Sequence, residues 1–307
     1  MVGQEAARTA RLMRPGRFRH FAAIDWSGAA GERQKGIAVA ICGHDGGPPR
    51  LVRPTGAWSR EGVLDYLRRE LPGDTLVGLD LGTSMPFADC GAFFPGWERS
   101  PADAHGLWAL VEEICTDDPH LTVGSFVDHP VASRYFRRHG AREGDRFHHA
   151  KAGHRRGRFR VTEQAQAAMG CKPYSNFNLV GAAQVGKSSL SGMRMLHRLT
   201  GRLPVWPIDP LPARGSVIVE IYTALAAIAG GRTASRSKMK DRQELNCALE
   251  TLGCPPLPGA GPIDDHSADA LLTAAWLRMV ADRPGLWAPK GMTDEIARTE
   301  GWTFGAV

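Results

Sequence analysis

"GAAQVGKSSL", Gly181–Leu190, satisfies the pattern G-x-x-x-x-G-K-[ST] letter for letter, with Gly181, Gly186, Lys187 and Ser188 at its fixed positions. Such a loop joins a strand to a helix and cradles phosphates with backbone N–H groups. Read that way, the chain is a parallel nucleotide-binding domain built around this point, with ATP or GTP as its ligand. The stretch "NFNLV" ahead of the loop reads as a strand. "KSSLSGMRMLHRLTG" behind it reads as a helix, with Leu190, Met193, Leu196 and Leu199 in one stripe. Two features weigh against the nucleotide reading. The loop comes past the midpoint, after strands that already make a coherent sheet of another kind. The next strand, "SVIVEIY", carries Glu220 within it and not an Asp at its end. With 36 glycines in 307 residues, the loop is read as one that holds helix against sheet. ATP binding stays as the alternative.

Working outward, "FAAIDWSGA" from Phe21, "KGIAVAICG" from Lys35 and "RLVRPTGAW" from Arg50 are short apolar runs with brief connections, hence an antiparallel meander. Ser59 caps a helix that carries Val63, Leu64, Leu67 and Leu71 on one face. "TLVGLDLG" from Thr75 is a buried fourth strand, and "GSVIVEIYTAL" from Gly215 a fifth. The intervening stretch is Pro-, Gly- and Arg-rich, with a helix near "DAHGLWALVEEIC". Two further helices follow, "MKDRQELNCALETLG" and "DDHSADALLTAAWLRMVAD". No apolar run is long enough to span a membrane. The basic N-terminus has no signal-peptide core, so a flexible lead-in to a cytoplasmic protein is expected. Six cysteines without a C-x-x-C pair indicate neither a zinc knuckle nor a disulfide framework.

The formal charge of +6 is concentrated. Between Arg134 and Arg160 stand ten basic residues against two acidic ones, an excess of eight, with four histidines and four aromatic residues interleaved. Neutralising phosphates releases counterions and rings offer stacking surfaces, so this segment suits nucleic acid. Arg137, Arg138, Lys151, Arg155, Arg156 and Arg158 are its candidate contacts.

Three strands carry a carboxylate where the pattern predicts burial: Asp25 in "AAIDW", Asp80 in "LVGLD" and Glu220 in "VIVEIY". A buried carboxylate needs a cation, a set of donors or an exposed edge. Asp265 and Asp269 share a face of the last long helix at i, i+4, and His266 lies near it. Each has a plain structural reading as a cap, a turn former or half of an ion pair. Together they suit hard divalent cations, which prefer carboxylate oxygen.

"AIDWSG", the meander, the helix, "VGLDLG" and "DDHSADALLTAAW", in that order, resemble the RNase H-like superfamily. The likeness extends to the predicted-nuclease group called domain-of-unknown-function family 429, and in the last motif to RuvC-type resolvases. It covers roughly residues 20–90 and 215–282. It implies an α/β fold with a five-stranded mixed sheet flanked by helices, an insertion at about 85–214 within a domain at 20–282, a flexible N-terminus at 1–19 and an extension at 283–307. It also implies a two-metal nuclease using Mg²⁺ or Mn²⁺. Asp25, Asp80 and Asp269 would hold the metals, helped by Asp265 or His266, with Glu220 as a further candidate. "LDLGTS", from Leu79, is similar to the phosphate turn of sugar kinases and actin-like ATPases. Those proteins carry it on the first strand, whereas here it follows the fourth. A nucleic-acid-binding protein without catalysis is the remaining alternative.

Overall fold

The computed structural model of the protein describes residues 16–140, 142–148, 157–180, 185–233 and 238–307. The run ahead of Asp25 forms β1 (His20–Asp25), which lies inside a six-stranded mixed sheet. β2 (Ala38–Gly43) and β3 (Arg50–Val52) extend it on one side as the expected antiparallel meander. On the other side β4 (Thr75–Asp80) runs parallel to β1. A small hairpin, β5 (Arg137–Arg138) and β6 (Arg142–Glu143), stands apart as its own two-stranded sheet. β7 (Val205–Trp206) and β8 (Val217–Glu220) complete the large sheet in the order β3-β2-β1-β4-β8-β7. Five strands are expected from sequence. The sixth, β7, is two residues long between Pro204 and Pro207 and leaves no periodic run to read.

Side chains alternate across the strands and feed two cores. Ala22, Ile24, Val77, Leu79 and Ile218 face α1 (Arg60–Arg69), α2 (Ala104–Ile114) and α4 (Val185–Leu199). α3 (Val161–Ala168) packs at the margin of the second core. Phe21, Ala23, Leu76, Val217 and Val219 face α5 (Thr223–Ala229), α6 (Arg242–Thr251) and α7 (Asp265–Val280). The capping reading holds for Ser59, which accepts from the Gly62 N–H, and for Asp264, which accepts from the Ser267 N–H at 2.9 Å.

The segment 283–307 is not an appendage. Trp287, Trp302, Phe304 and Ala306 are buried in the second core. Thr303 bridges to Glu220, and the Phe304 N–H donates to the Glu220 carbonyl at 2.8 Å. Burying a large aromatic side chain contributes roughly 1.5–3 kcal/mol, so this segment is held by its own packing. Residues 1–15, the larger part of the expected flexible N-terminus, lie outside the described residues. Among the described residues no helix is long and apolar enough to cross a membrane.

Candidate active site

Asp25 ends β1 and Asp80 ends β4, and the parallel ladder places them directly opposite each other. Neighbouring strands lie about 4.8 Å apart, and equal parity sends both side chains to the face covered by α7. That helix packs across β1 and β2 and brings its first turns to the same strand ends. His266 Nδ1 donates to Asp25 Oδ2 at 2.9 Å. Gly36 makes room for the imidazole: a Cβ there would lie 3.4 Å from the ring.

Electrostatics ties Asp80 and Asp269 to the same centre. Burial, then Asp25, then Asp269 raise the Asp80 carboxyl well above the ordinary carboxylate range. Burial and Asp25 push Asp269 up to about 7. The hydrogen bond to Asp25 holds His266 above its ordinary value, against the effect of burial. These groups crowd negative charge into a partly desolvated place.

Among the described residues Lys238, which the sequence reading does not single out, is a cation that answers this charge. Its ammonium stands 3.2 Å from Asp265 and 4.0 Å from Asp269. Burial alone would lower it, but Asp269 and Asp265 outweigh burial and hold it above its usual value. Only charge complementarity across the fold marks it, since a lysine in a loop fits no spacing pattern.

Glu220 is different. Its register partner is Leu79, not Asp80, so its parity sends it to the opposite face of the sheet. There it is 3% exposed and accepts from Thr83 N–H and Oγ, Thr303 Oγ and Arg160. Burial would raise it, but Arg160 more than offsets that and keeps it ionised. Its expected place among the catalytic acids is therefore corrected: Glu220 is an acceptor for a buried arginine and two loop hydroxyls.

The basic segment also needs correction. Arg158 is 1% exposed and donates to Asp89 and to the carbonyls of Pro86, Ala92 and Phe93, so it is a structural cation that no phosphate reaches. Arg137 pairs with Glu143 at 3.2 Å and Arg138 with Asp128 at 2.5 Å. Both keep some exposure, and a phosphate would compete with these acids. Lys151, Arg155 and Arg156 lie outside the described residues.

Gly186, Lys187 and Ser188 lie in the first turn of α4, while Gly181 falls outside the described residues. The expected strand before them is not formed: residues 175–180 carry one isolated bridge, Arg137 to Asn178, and no sheet strand. A Cβ on Gly28 would collide with the backbone of Lys187 and Ser188, and one on Gly186 with the carbonyl of Asn176. These glycines let the β1 loop and the segment 176–179 press against the helix start, which is the packing role. The "LDLGTS" turn is likewise occupied, for Gly82 N–H donates to Ser189 Oγ and Thr83 N–H to Glu220.

Beside the carboxylates opens a cavity of about 450 Å³, lined in part by Asp80, His266, Tyr174 and Tyr222. It lies at the carboxyl ends of β1, β4 and β8, where open α/β sheets place ligands. Among the described residues no three His, Cys, Asp or Glu side chains are gathered closely enough to hold a metal ion. Asp25, Asp80 and Asp269 fit a hard divalent cation by donor type and by their excess charge. Such an ion would have to draw them together. Compared with protein-family models, with curated proteins and with solved structures, the chain matches none.

This crowding sets a pH dependence. Asp269 is protonated more readily in the folded chain than in the unfolded one, so its contribution to stability is greatest at low pH and falls as pH rises from about 4 to about 7. His266 acts in the same direction, losing its contribution as pH rises through its raised value. In EDTA, urea unfolding should show roughly 2 kcal/mol less stability at pH 7.5 than at pH 5 from this site. Mn²⁺ at pH 7.5 should restore it. A flat profile in EDTA, with no effect of Mn²⁺, would count against an acidic cluster that lacks its cation.

Proposed function

We propose that the protein is a divalent-metal-dependent phosphodiesterase acting on nucleic acid, with its site on an RNase H-like sheet. The reading is carried by Asp25 and Asp80, paired in register on adjacent parallel strands and coupled electrostatically to Asp269 on the helix crossing them. The meander followed by a parallel fourth strand supports the fold assignment.

Asp25, Asp80 and Asp269 would hold Mg²⁺ or Mn²⁺. A bound pair of such ions lowers the pKa of a water and neutralises charge on the leaving oxygen. The chain's own groups do the rest. His266 fixes the orientation of the Asp25 carboxylate through Nδ1. Asp269 sheds its proton near neutrality, so cation affinity should climb as pH rises through about 7. Lys238 holds its ammonium beside Asp265 and Asp269, and a bound metal ion would compete with it for those carboxylates.

Purified protein with Mn²⁺ should cleave labelled oligonucleotides, and Asp25→Asn should not. Wild-type inactivity on single-stranded, duplex and branched substrates, or cleavage unchanged in Asp25→Asn, would remove the reading.

A further inference from the structure

The cavity beside Asp80 has an ionic part and an aromatic part. Among the described residues its carboxylates are Asp80, Glu163 and Glu220, and its one guanidinium is that of Arg160. All five N–H groups of Arg160 are engaged. Nε donates to Glu163 at 2.9 Å, and Nη1 donates to Glu220 at 2.8 Å and to the Glu300 carbonyl at 2.9 Å. Nη2 donates to Glu163 at 2.6 Å and to Glu220 at 2.5 Å. The other basic group on the wall, His266, is turned to Asp25. Among the described residues, a phosphate inside the cavity would therefore meet acids and no available guanidinium donor. A neutral ring would not meet that penalty.

The rest of the wall suits such a ring. Tyr174, 40% exposed, and the half-buried Tyr222 offer aromatic surface, and Pro173 flanks them. Asn176, on the same wall, is held by donating to the Ser84 carbonyl at 2.7 Å and accepting from Ser189 Oγ at 3.4 Å. The volume is in the range of small-ligand sites. We propose that this cavity receives the nucleobase of an unpaired nucleotide whose phosphate lies at Asp25 and Asp80. The inference rests on the phosphodiesterase reading and names its substrate: a single-stranded or locally opened strand, since a base within a duplex would first have to leave its stack.

Fluorescence anisotropy with the full chain tests it, using a labelled hexathymidylate and an abasic hexamer of equal length, in EDTA and in Mn²⁺ with Asp25→Asn to prevent cleavage. The base-bearing strand should bind about tenfold more tightly, as expected for stacking on aromatic side chains. Tyr174→Ala should reduce that difference to about twofold, and Tyr174→Phe should keep it. Equal binding of the two hexamers, or a preference untouched by Tyr174→Ala, overturns the proposal. Thymidine monophosphate binding as tightly as the hexamer also overturns it, because the ligand would then be a free nucleotide. Base-dependent binding without cleavage by the wild type would sink the phosphodiesterase reading alone and leave the base pocket standing.

Discussion

Asp80→Asn should lower Mn²⁺-dependent cleavage by about a thousandfold or more while making the metal-free protein more stable. Both effects come from one cause. Burial, Asp25 and Asp269 all disfavour the ionised form of Asp80, so folding must either bury a charge there or take up a proton. The amide keeps the shape, avoids that cost and gives up an oxygen ligand. The gain in EDTA should be on the order of 1–2 kcal/mol, and Mn²⁺ should stabilise the variant much less than the wild type. Urea unfolding with and without the ion separates the outcomes. A variant less stable than wild type in EDTA, yet still fully active, would mean that Asp80 is a strand-end turn former and no more.

Arg160→Ala should destabilise the chain by about 3–5 kcal/mol, because it strands two carboxylates that are each only 4% exposed. The loss should shrink at low pH, where Glu163 and Glu220 can take up protons. In the variant stability should therefore fall as pH rises, again because the folded form binds more protons than the unfolded one. Replacing the group as a whole, with Arg160→Met, Glu163→Gln and Glu220→Gln together, should recover most of the loss. Denaturant midpoints at pH 5 and pH 7.5 measure this. An Arg160→Ala variant as stable as wild type at pH 7.5 would show that the two acids find other partners.

The strands that frame the site were legible because each is an apolar run closed by glycine or a turn. Asp25, Asp80 and Asp269 stood out as charges inside such runs, and the structure brings them to one end of one face. Glu220 was legible as buried but not as facing away. A central parallel strand is apolar on both faces, so "VIVE" carries no alternation from which its parity can be taken. The basic segment misleads by a related route. Counting charges assigns them to the surface, yet Arg158 and Arg160 are among the most buried side chains in the protein. Their partners Asp89 and Glu220 lie 69 and 60 residues away, beyond any local pattern. Lys238 follows the same logic in reverse, being a surface residue recruited by acids from another element.

Arg160 should also order events in folding. It joins Glu220 to the carbonyl of Glu300, 140 residues from it along the chain, so the floor beside Asp80 closes only after distant loops have been drawn in. Pairings of such high contact order form slowly. Strands β1 and β4 can align first, and for that interval their two acids would face water with no wall beside them. Amide protection acquired during refolding should accordingly come sooner at Val77 and Leu79 than at Thr83 and Thr303.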